Sequence, residues 1–600
     1  MKRNRLFAAV GALALTFSLI GCDSNDGQEG ASGPQGTAGV DGAVGVDGKD
    51  ANAGITLKFL GRTPALPDQF DASAAEVVAY APATKTAYLV NALSGAVDLV
   101  DLSAPASPVI TGRLDVAADV KANIAGAPAL GAINSVAVFG NTIAAAIEAN
   151  PKQDNGYVVF YAIDGSFLSA VEVGALPDMV GFTPDGKYVL TANEGEPNGD
   201  YSVDPKGSIS IIDVSGGFTS LIAVEAGFDV FNLETISGAR SSPKSASTAV
   251  DMEPEYIAFS ADSRTAFVSL QENNAVAVVD ITEGKVTSVH GLGFKNYGIP
   301  GNEIDASNKD GGVNIKSWNV FGTYMPDSID SYTVNGTTYL VTANEGDGRE
   351  YLTNELDADA CTLAGGFDFD GGDCFHYLDE IRIKDIADTG ATFSAALIAK
   401  LGEDFTDSEN LGRLKIIANL GVSGDCPTLA TTGQPGADCE YQDLYSFGAR
   451  SFTIWNTETM RPVFDSSNEI EVITAQQLGE NFNASNDDNA GDDRSDDKGP
   501  EPEGVEIAEI DGNTYAFIGL ERVGGVMVYN ISNPNAASFV QYINPRDFTV
   551  DAEADLAIVG DLGPEGLLFV SAEDSASGEP LLLVANEVSG TLAVYSISSL

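Results

Sequence analysis

Histidine is almost missing from this chain. Two residues, His290 and His376, both outside the repeated units described below, give a Ser-His-Asp triad or a histidine-ligated metal little raw material. Positive charge is scarce too, with 31 Lys and Arg against 87 Asp and Glu and a formal net charge of −56. That balance repels phosphate backbones, which argues against a nucleic-acid partner, and attracts cations. No G-x-x-x-x-G-K-[ST] or H-E-x-x-H pattern occurs. Beyond the first twenty residues no apolar run is long enough to span a membrane, and no long stretch keeps a 3.6-residue apolar period.

Cysteine is also rare, and its five positions divide by context. The first ends "MKRNRLFAAVGALALTFSLIGC", in which Lys2, Arg3 and Arg5 precede a short apolar run and a small residue. This resembles a bacterial lipoprotein signal. The resemblance implies removal of residues 1–21, a lipid on Cys22 and the membrane as a partner through that lipid. The expected location is the extracytoplasmic cell envelope, at the outer membrane or cell surface in preference to the inner membrane. The remaining cysteines fall at 361, 374, 426 and 439, with twelve residues inside each neighbouring pair. An even count in an exported chain predicts the disulfides Cys361–Cys374 and Cys426–Cys439, and the spacing is too wide for ordinary zinc motifs. Residues 22–54 hold a glycine at every third position from Gly27 to Gly48, a collagen-like pattern short enough to serve as a flexible stalk.

What the sequence has in quantity is short alternating runs broken by Gly, Asn and Asp, an all-β signal. Seven copies of one unit can be aligned, at 75–92, 134–149, 177–195, 254–273, 326–346, 502–522 and 564–588. Each holds two strands and is followed by a third such as "GSISIIDVS" or "GTLAVYSIS". Seven copies predict a seven-bladed β-propeller over 55–600, with "ITLKFLGR" at 55–62 supplying the last blade's outer strand and closing the ring. Extra sequence at 196–206, 226–250, 287–325, 347–450 and 466–500 is expected to cap one mouth of the channel. The disulfide-bearing stretch 351–447 reads as an insertion without its own core, held by its staples.

The copies repeat acids at two places. Strand one begins with Glu76, Ser135, Asp178, Glu255, Asp327, Glu503 and Glu565; strand two ends at Ala92, Glu148, Glu194, Glu272, Glu345, Glu521 and Glu587. In a propeller both places lie at one mouth beside the axis. One such acid alone reads most simply as a cap on backbone amides. Twelve repel one another unless neutralised, and the candidate neutralisers are Lys309, Arg349, Arg450, Arg494, Lys498 and Arg522. Oxygen ligands without histidine favour Ca²⁺ or another hard divalent cation. The metal candidates are therefore Asp178, Glu194, Glu255, Glu272, Asp327, Glu345, Glu503, Glu521, Glu565 and Glu587. Acidic loops at 301–312 and 483–504 suit hard cations less specifically.

"LPDMVGFTPDGKYVLTANEGEPN", "TYLVTANEGDGREY", "DDRSDDKGPEPEGVEI" and "LLLVANEVSGT" resemble the choice-of-anchor I domain of bacterial surface proteins, which is similar also to animal mesenchyme-specific cell-surface glycoproteins. The resemblance runs from about residue 55 to the C-terminus and implies a propeller at the cell surface. It supplies no reaction and no catalytic residues. Two functional readings stand. One is a cation-stabilised surface module for adhesion or ligand capture. The other is a metal-dependent phosphoesterase, in which metal and an arginine such as Arg349 or Arg522 would meet a small anionic substrate. Carboxylate pairs also suit glycoside hydrolysis, but repetition around a ring produces such pairs regardless.

Replacing Cys22 with Ala is expected to move the protein from the membrane fraction to the soluble fraction. Unchanged sedimentation with membranes would refute the lipid anchor.

Overall fold

The computed structural model describes residues 54–600 apart from Asp425, so the signal, Cys22 and the Gly-x-y stretch lie outside the described residues. Seven four-stranded antiparallel sheets follow one another along the chain. From innermost to outermost strand they run from Val78–Ala81 to Val109–Leu114 (blade 1), Leu130–Phe139 to Phe167–Ala175 (blade 2) and Pro177–Phe182 to Ala223–Gly227 (blade 3). Blade 4 runs from Ile257–Phe259 to Lys285–Gly291, blade 5 from Ile329–Val334 to Arg461–Asp465, and blade 6 from Pro502–Ile510 to Ser538–Ile543. Blade 7 starts at Pro564–Val570, and its outer strand is the N-terminal Ile55–Arg62, paired with Thr591–Ser599 in register from Ile55↔Ser599 to Arg62↔Ala593. Each first strand touches the first strand of the next blade, and that of blade 7 touches that of blade 1, so the ring is closed.

Period-two alternation has an unusual outcome here, because each blade is sandwiched between two others and buries both faces. In blade 3, Val189 enters the core shared with blade 2 while Leu190 enters the core shared with blade 4. Seven such clusters fill the seven gaps, the last joining Val570, Leu581 and Leu583 to Val78, Leu89 and Val100. Near the axis the first strands of neighbouring blades are joined by side chains. Asp330 Oδ2 accepts from Ile507 N (3.0 Å), Glu506 Oε1 from Phe569 N (2.9 Å) and Ser328 Oγ from Val505 N (3.2 Å).

The sequence pattern shows three strands per unit, and the fourth escapes it because it is buried over only part of its length. Val109–Leu114 is exposed at every position but its last. His290 therefore lies within a blade, on the outer strand of blade 4, with Nε2 2.8 Å from Ser288 Oγ.

The insertions are a second departure. Both predicted disulfides form, Cys361–Cys374 and Cys426–Cys439. The expectation that 351–447 has no core is wrong. Ile381, Ile416, Tyr441 and Leu444 share a buried cluster with Ile304 and Val320 from the blade 4 to blade 5 connection. Two segments far apart in sequence thus supply one core, which neither shows alone. A further connection, 544–563, packs Leu556, Val559 and Leu562 against Val588 and was not foreseen. The insertions meet each other through Arg382 and Arg413, each 2.6 Å from Asp496 Oδ2.

Leu57 on the closing strand is 3% exposed and its neighbour Lys58 is exposed. Leu57→Ala is expected to lower the unfolding free energy by about 3 kcal/mol and Lys58→Ala by less than about 0.5 kcal/mol, read from urea midpoints. Equal, small effects would contradict closure by this strand.

Candidate metal centre

Five of the seven first strands begin at, or two residues after, a proline-acid pair: Pro177-Asp178, Pro254-Glu255, Pro326-Asp327, Pro502-Glu503 and Pro564-Glu565. Proline has no N–H to give the ladder, and the register slips just after it, between Pro177 and Val180, Pro502 and Val505, and Pro564 and Leu567. In blades 3, 6 and 7 the acid therefore sits in a bulge, a device that turns a side chain out of the regular pleat. In two blades the bulge also carries a glycine for space. A Cβ on Gly504 would lie 2.2 Å from the carbonyl oxygen of Glu565, and one on Gly566 would lie 2.2 Å from that of Glu76. Before the proline, the backbone takes positive φ at Leu176 (48°), Met325 (42°), Glu501 (50°) and Gly563 (68°). Left-handed backbone costs a non-glycine residue about 1–2 kcal/mol, so the surroundings must hold it. The acid that ends strand two helps: Glu194, Glu521 and Glu587 donate backbone N–H bonds of 2.9, 2.9 and 2.7 Å to the carbonyls of Leu176, Glu501 and Gly563.

The repeated Ala-Asn-Glu acquires a second meaning. Its asparagine is buried and ties strand two to strand three. Asn193 Nδ2 bonds Ser208 Oγ (3.1 Å) and Ser210 Oγ (2.9 Å); Asn344 Nδ2 bonds Ser451 Oγ (3.3 Å) and Thr453 Oγ1 (2.9 Å). In blade 7, Asn586 Nδ2 reaches the carbonyls of Val584 (3.0 Å) and Thr591 (3.1 Å). The asparagine fixes the strand end, and the glutamate after it is delivered to the axis. Sequence reasoning saw the glutamate and missed the asparagine, although the hydroxyl pairs two residues apart on strand three were the available signal.

Asp178, Glu194, Glu255, Asp327, Glu345, Glu503, Glu521 and Glu565 line one cavity of about 270 Å³, together with the unforeseen Gln271 and Asp347. Glu76, Ser135, Asp178, Asp327 and Glu565 also border a smaller cavity of about 140 Å³ further along the first strands. The other two metal candidates do not line the larger cavity. Glu587 is held by Ser73 Oγ (2.9 Å), and Glu272 lies against Glu253 and Arg349. Glu148 accepts from Ala132 N (3.1 Å), which is the capping role a lone acid was expected to play.

Among the neutralisers, Arg522 borders the cavity and the buried Lys498 reaches it. Lys498 Nζ lies 2.5 Å from Glu345 Oε1, 3.3 Å from Asp347 Oδ1 and 3.3 Å from Glu501 Oε2. Arg522 bonds Glu501 (3.0 Å) and Glu521 (3.0 Å), and Arg494 adds a 2.8 Å contact to Glu501. Glu501, fully buried and just ahead of Pro502, was not singled out from the sequence. Burial opposes its ionisation, but Arg494, Lys498 and Arg522 outweigh that and hold its pKa below the ordinary range. Arg349 does not line the cavity. It is buried against Glu253 (2.7 Å) and Asp251 (3.3 Å), so it does not serve the mouth as an anion-binding group. Arg450 pairs with Glu471 (2.6 Å), and Lys309 is exposed.

Most of the ring carboxylates lack such compensation. Burial first, and neighbouring carboxylates second, push Glu194, Glu255, Asp327, Glu503 and Glu565 well above the ordinary range. Burial does the same to Glu521 despite Arg522 beside it. Oε2 of Glu255, Glu503, Glu521 and Glu565 is buried without a hydrogen-bond partner. Two triads bring one oxygen from each member within 4.8 Å of the others: Asp327, Glu345 and Glu503, and Glu345, Glu501 and Glu521. Oxygen-only donors at this spacing fit a hard divalent cation.

The direction of these shifts sets a pH dependence for the chelator-treated protein. Burial and Glu587 raise Glu76 to about 8, and burial and Glu196 raise Asp178 to about 7. The folded chain then holds more protons than the unfolded chain from about pH 4 upward, so stability present at low pH is lost as pH rises through 7 and 8. The melting temperature in EDTA is expected to fall from pH 5 to pH 8.5, and less steeply in the Glu76→Gln, Asp178→Asn variant. The same slope in both proteins would refute the assignment to these groups.

Residues 76–534 match the choice-of-anchor I domain. Curated relatives include Gigasin-3a of Magallana gigas, 27% identical over 172 residues, which is 27% of this chain and 61% of that protein. The mesenchyme-specific cell surface glycoprotein of Strongylocentrotus purpuratus is 24% identical over 318 residues, 50% of this chain and 37% of that protein. The chain thus spans less than two thirds of either relative's length. Solved structures with a similar path include hydrazine synthase of Kuenenia stuttgartiensis (13% identity, TM-score 0.41, 88% of this chain and 97% of that one). The WD40 domain of Toxoplasma gondii coronin is comparable (8% identity, TM-score 0.42, 92% and 87%), and likeness this low adds nothing to the sheet topology. With most of its length matched, the chain belongs to the choice-of-anchor I domain family.

Proposed function

We propose that this protein is a cell-surface propeller that binds divalent cations at its acidic mouth and uses that face for adhesion or ligand capture. The observation that carries the reading is the set of partnerless carboxylate oxygens, Oε2 of Glu255, Glu503, Glu521 and Glu565, around one cavity. A buried carboxylate oxygen without a partner is costly. A proton or a cation relieves that cost, and above neutral pH a hard cation such as Ca²⁺ is the better complement. The surface location is supported by the family, by two disulfides, which form in oxidising compartments, and by the sea-urchin relative's description as a cell surface glycoprotein. A lipid on Cys22 would attach it to the membrane, and no described helix is long and apolar enough to cross one.

One feature favours a metal-dependent phosphoesterase as the second reading. Arg522 and Asp347 are shared between the acidic cavity and an adjoining one of about 270 Å³ that also contains Lys415, Arg494 and Lys498. An anion bound to a metal at the mouth would meet guanidinium groups there. The reading has lost Arg349, which is enclosed by its own ion pairs.

Stripping metal with EDTA is expected to lower the melting temperature at pH 8, and Ca²⁺ at about a hundredfold its Kd restores about 2.7 kcal/mol. No response to Ca²⁺ would contradict cation binding. Hydrolysis of p-nitrophenyl phosphate that disappears with EDTA would replace the binding module with the phosphoesterase.

A further inference from the structure

We propose that the cation at the mouth occupies one side of it, between Asp327 and Glu345 of blade 5 and Glu503 of blade 6, and that Lys498 and Arg522 fill the adjoining triad as built-in cations. This rests on reading the mouth as a cation site and says where in the ring the ion goes.

The two triads share Glu345 and have the same spacing, 4.8 Å or less between ligand oxygens. They differ in what faces them. In the triad of Glu345, Glu501 and Glu521, every carboxylate already has a cationic partner. Lys498 Nζ contacts Glu345 and Glu501, while Arg522 contacts Glu501 and Glu521. Arg494 makes a third contact to Glu501. An incoming divalent ion would meet an ammonium and a guanidinium on the oxygens it needs, and the repulsion would exceed what the carboxylates return.

The triad of Asp327, Glu345 and Glu503 has no such complement beyond its share of Lys498. Among the described residues Asp327 and Glu503 make no ion pair, and Glu503 Oε2 has no hydrogen-bond partner. An independent sign comes from Glu255. Its side chain lines the same cavity, it is only 8% exposed, and its Oε2 is buried without a partner while its charge repels Asp327. Gln271 Nε2 holds Glu345 Oε2 at 2.8 Å, which fixes the shared ligand. An ion bound by oxygens at about 2.3–2.6 Å fits between oxygens this far apart, and it would answer two uncompensated charges and the partnerless oxygen of Glu503.

Lys498 reaches the mouth from the connection between blades 5 and 6, on a loop pinned by Arg450, whose guanidinium donates to the carbonyls of Ser495 (2.8 Å) and Asp497 (2.7 Å). The lysine is 6% exposed. It is therefore a fixed part of the ring, and together with Arg522 it sets how many divalent ions the ring admits.

The test is calorimetric titration of Ca²⁺ into the chelator-stripped full-length chain at pH 8, counting sites tighter than about 10 µM to exclude loose surface binding. The wild type is expected to show one tight event, Glu503→Gln none, the Lys498→Ala, Arg522→Ala variant two, and that variant with Glu503→Gln added one. Retention of the wild-type event in Glu503→Gln would place the ion elsewhere and overturn the assignment. A single event in the Lys498→Ala, Arg522→Ala variant would overturn the role of the two side chains as built-in cations. Neither result touches the cation reading itself, which falls only if the wild type binds nothing. Removing both cations leaves buried carboxylates uncompensated; if that variant does not fold, the Glu503→Gln titration alone decides the site.

Discussion

Seven strands that begin at one axis force their first side chains together, and in this chain six of those seven side chains are carboxylates. The backbone at the mouth commits the chain to that repulsion. Proline and the bulge after it turn the acid out of the pleat, a left-handed residue before the proline bends the chain inward, and the backbone amide of the strand-two acid clamps that bend. Such local strain persists only where its surroundings over-determine it. Here the surroundings are an asparagine buried against strand three and a neighbouring strand close enough to require glycine.

The ring is far less symmetric than its repeats. On the side of blades 1 and 2 two positions carry no acid, Ala92 and Ser135, and Glu148 is bound by a backbone amide. On the side of blades 5 and 6 the carboxylates are closest, and the insertion between those blades brings in Arg494 and Lys498. Repetition made the acids, and insertion graded them. Some became caps, some became partners of internal cations, and some were left with bare oxygens. A reading that treats all twelve alike, whether as ligands or as caps, misses that division.

Much of this was legible beforehand because a propeller writes its fold locally. Each unit carries its own strands and turns, so the blades, the closing strand Ile55–Arg62 and both disulfide pairs could be read from residues near one another. What could not be read depends on distance in sequence. The outer strands are buried over only part of their length, and Val109–Leu114 only at its last residue, so their pattern is weak. The core of the insertion is split between 297–320 and 381–444, and neither part looks sufficient alone. At the mouth, the acids were visible as repeats, but pairing was not. Arg349 and Arg522 look equivalent in sequence, yet one is buried against Asp251 and Glu253 and the other borders the cavity. Glu501 has a counterpart before the proline only in Glu253 of blade 4, while Leu176, Met325 and Gly563 stand there in the other proline-bearing blades, so this acid does not stand out as a repeat.

The central claim is that the bare carboxylates at the mouth surround a cation. Anomalous scattering from crystals soaked in Tb³⁺, a luminescent and strongly scattering substitute for Ca²⁺, tests it most directly. The account predicts an anomalous peak inside the acidic cavity, coordinated by Asp327, Glu345 and Glu503. A cavity without a peak at a Tb³⁺ concentration that labels surface carboxylates, with the ring acids bonded only to one another and to water, would contradict it.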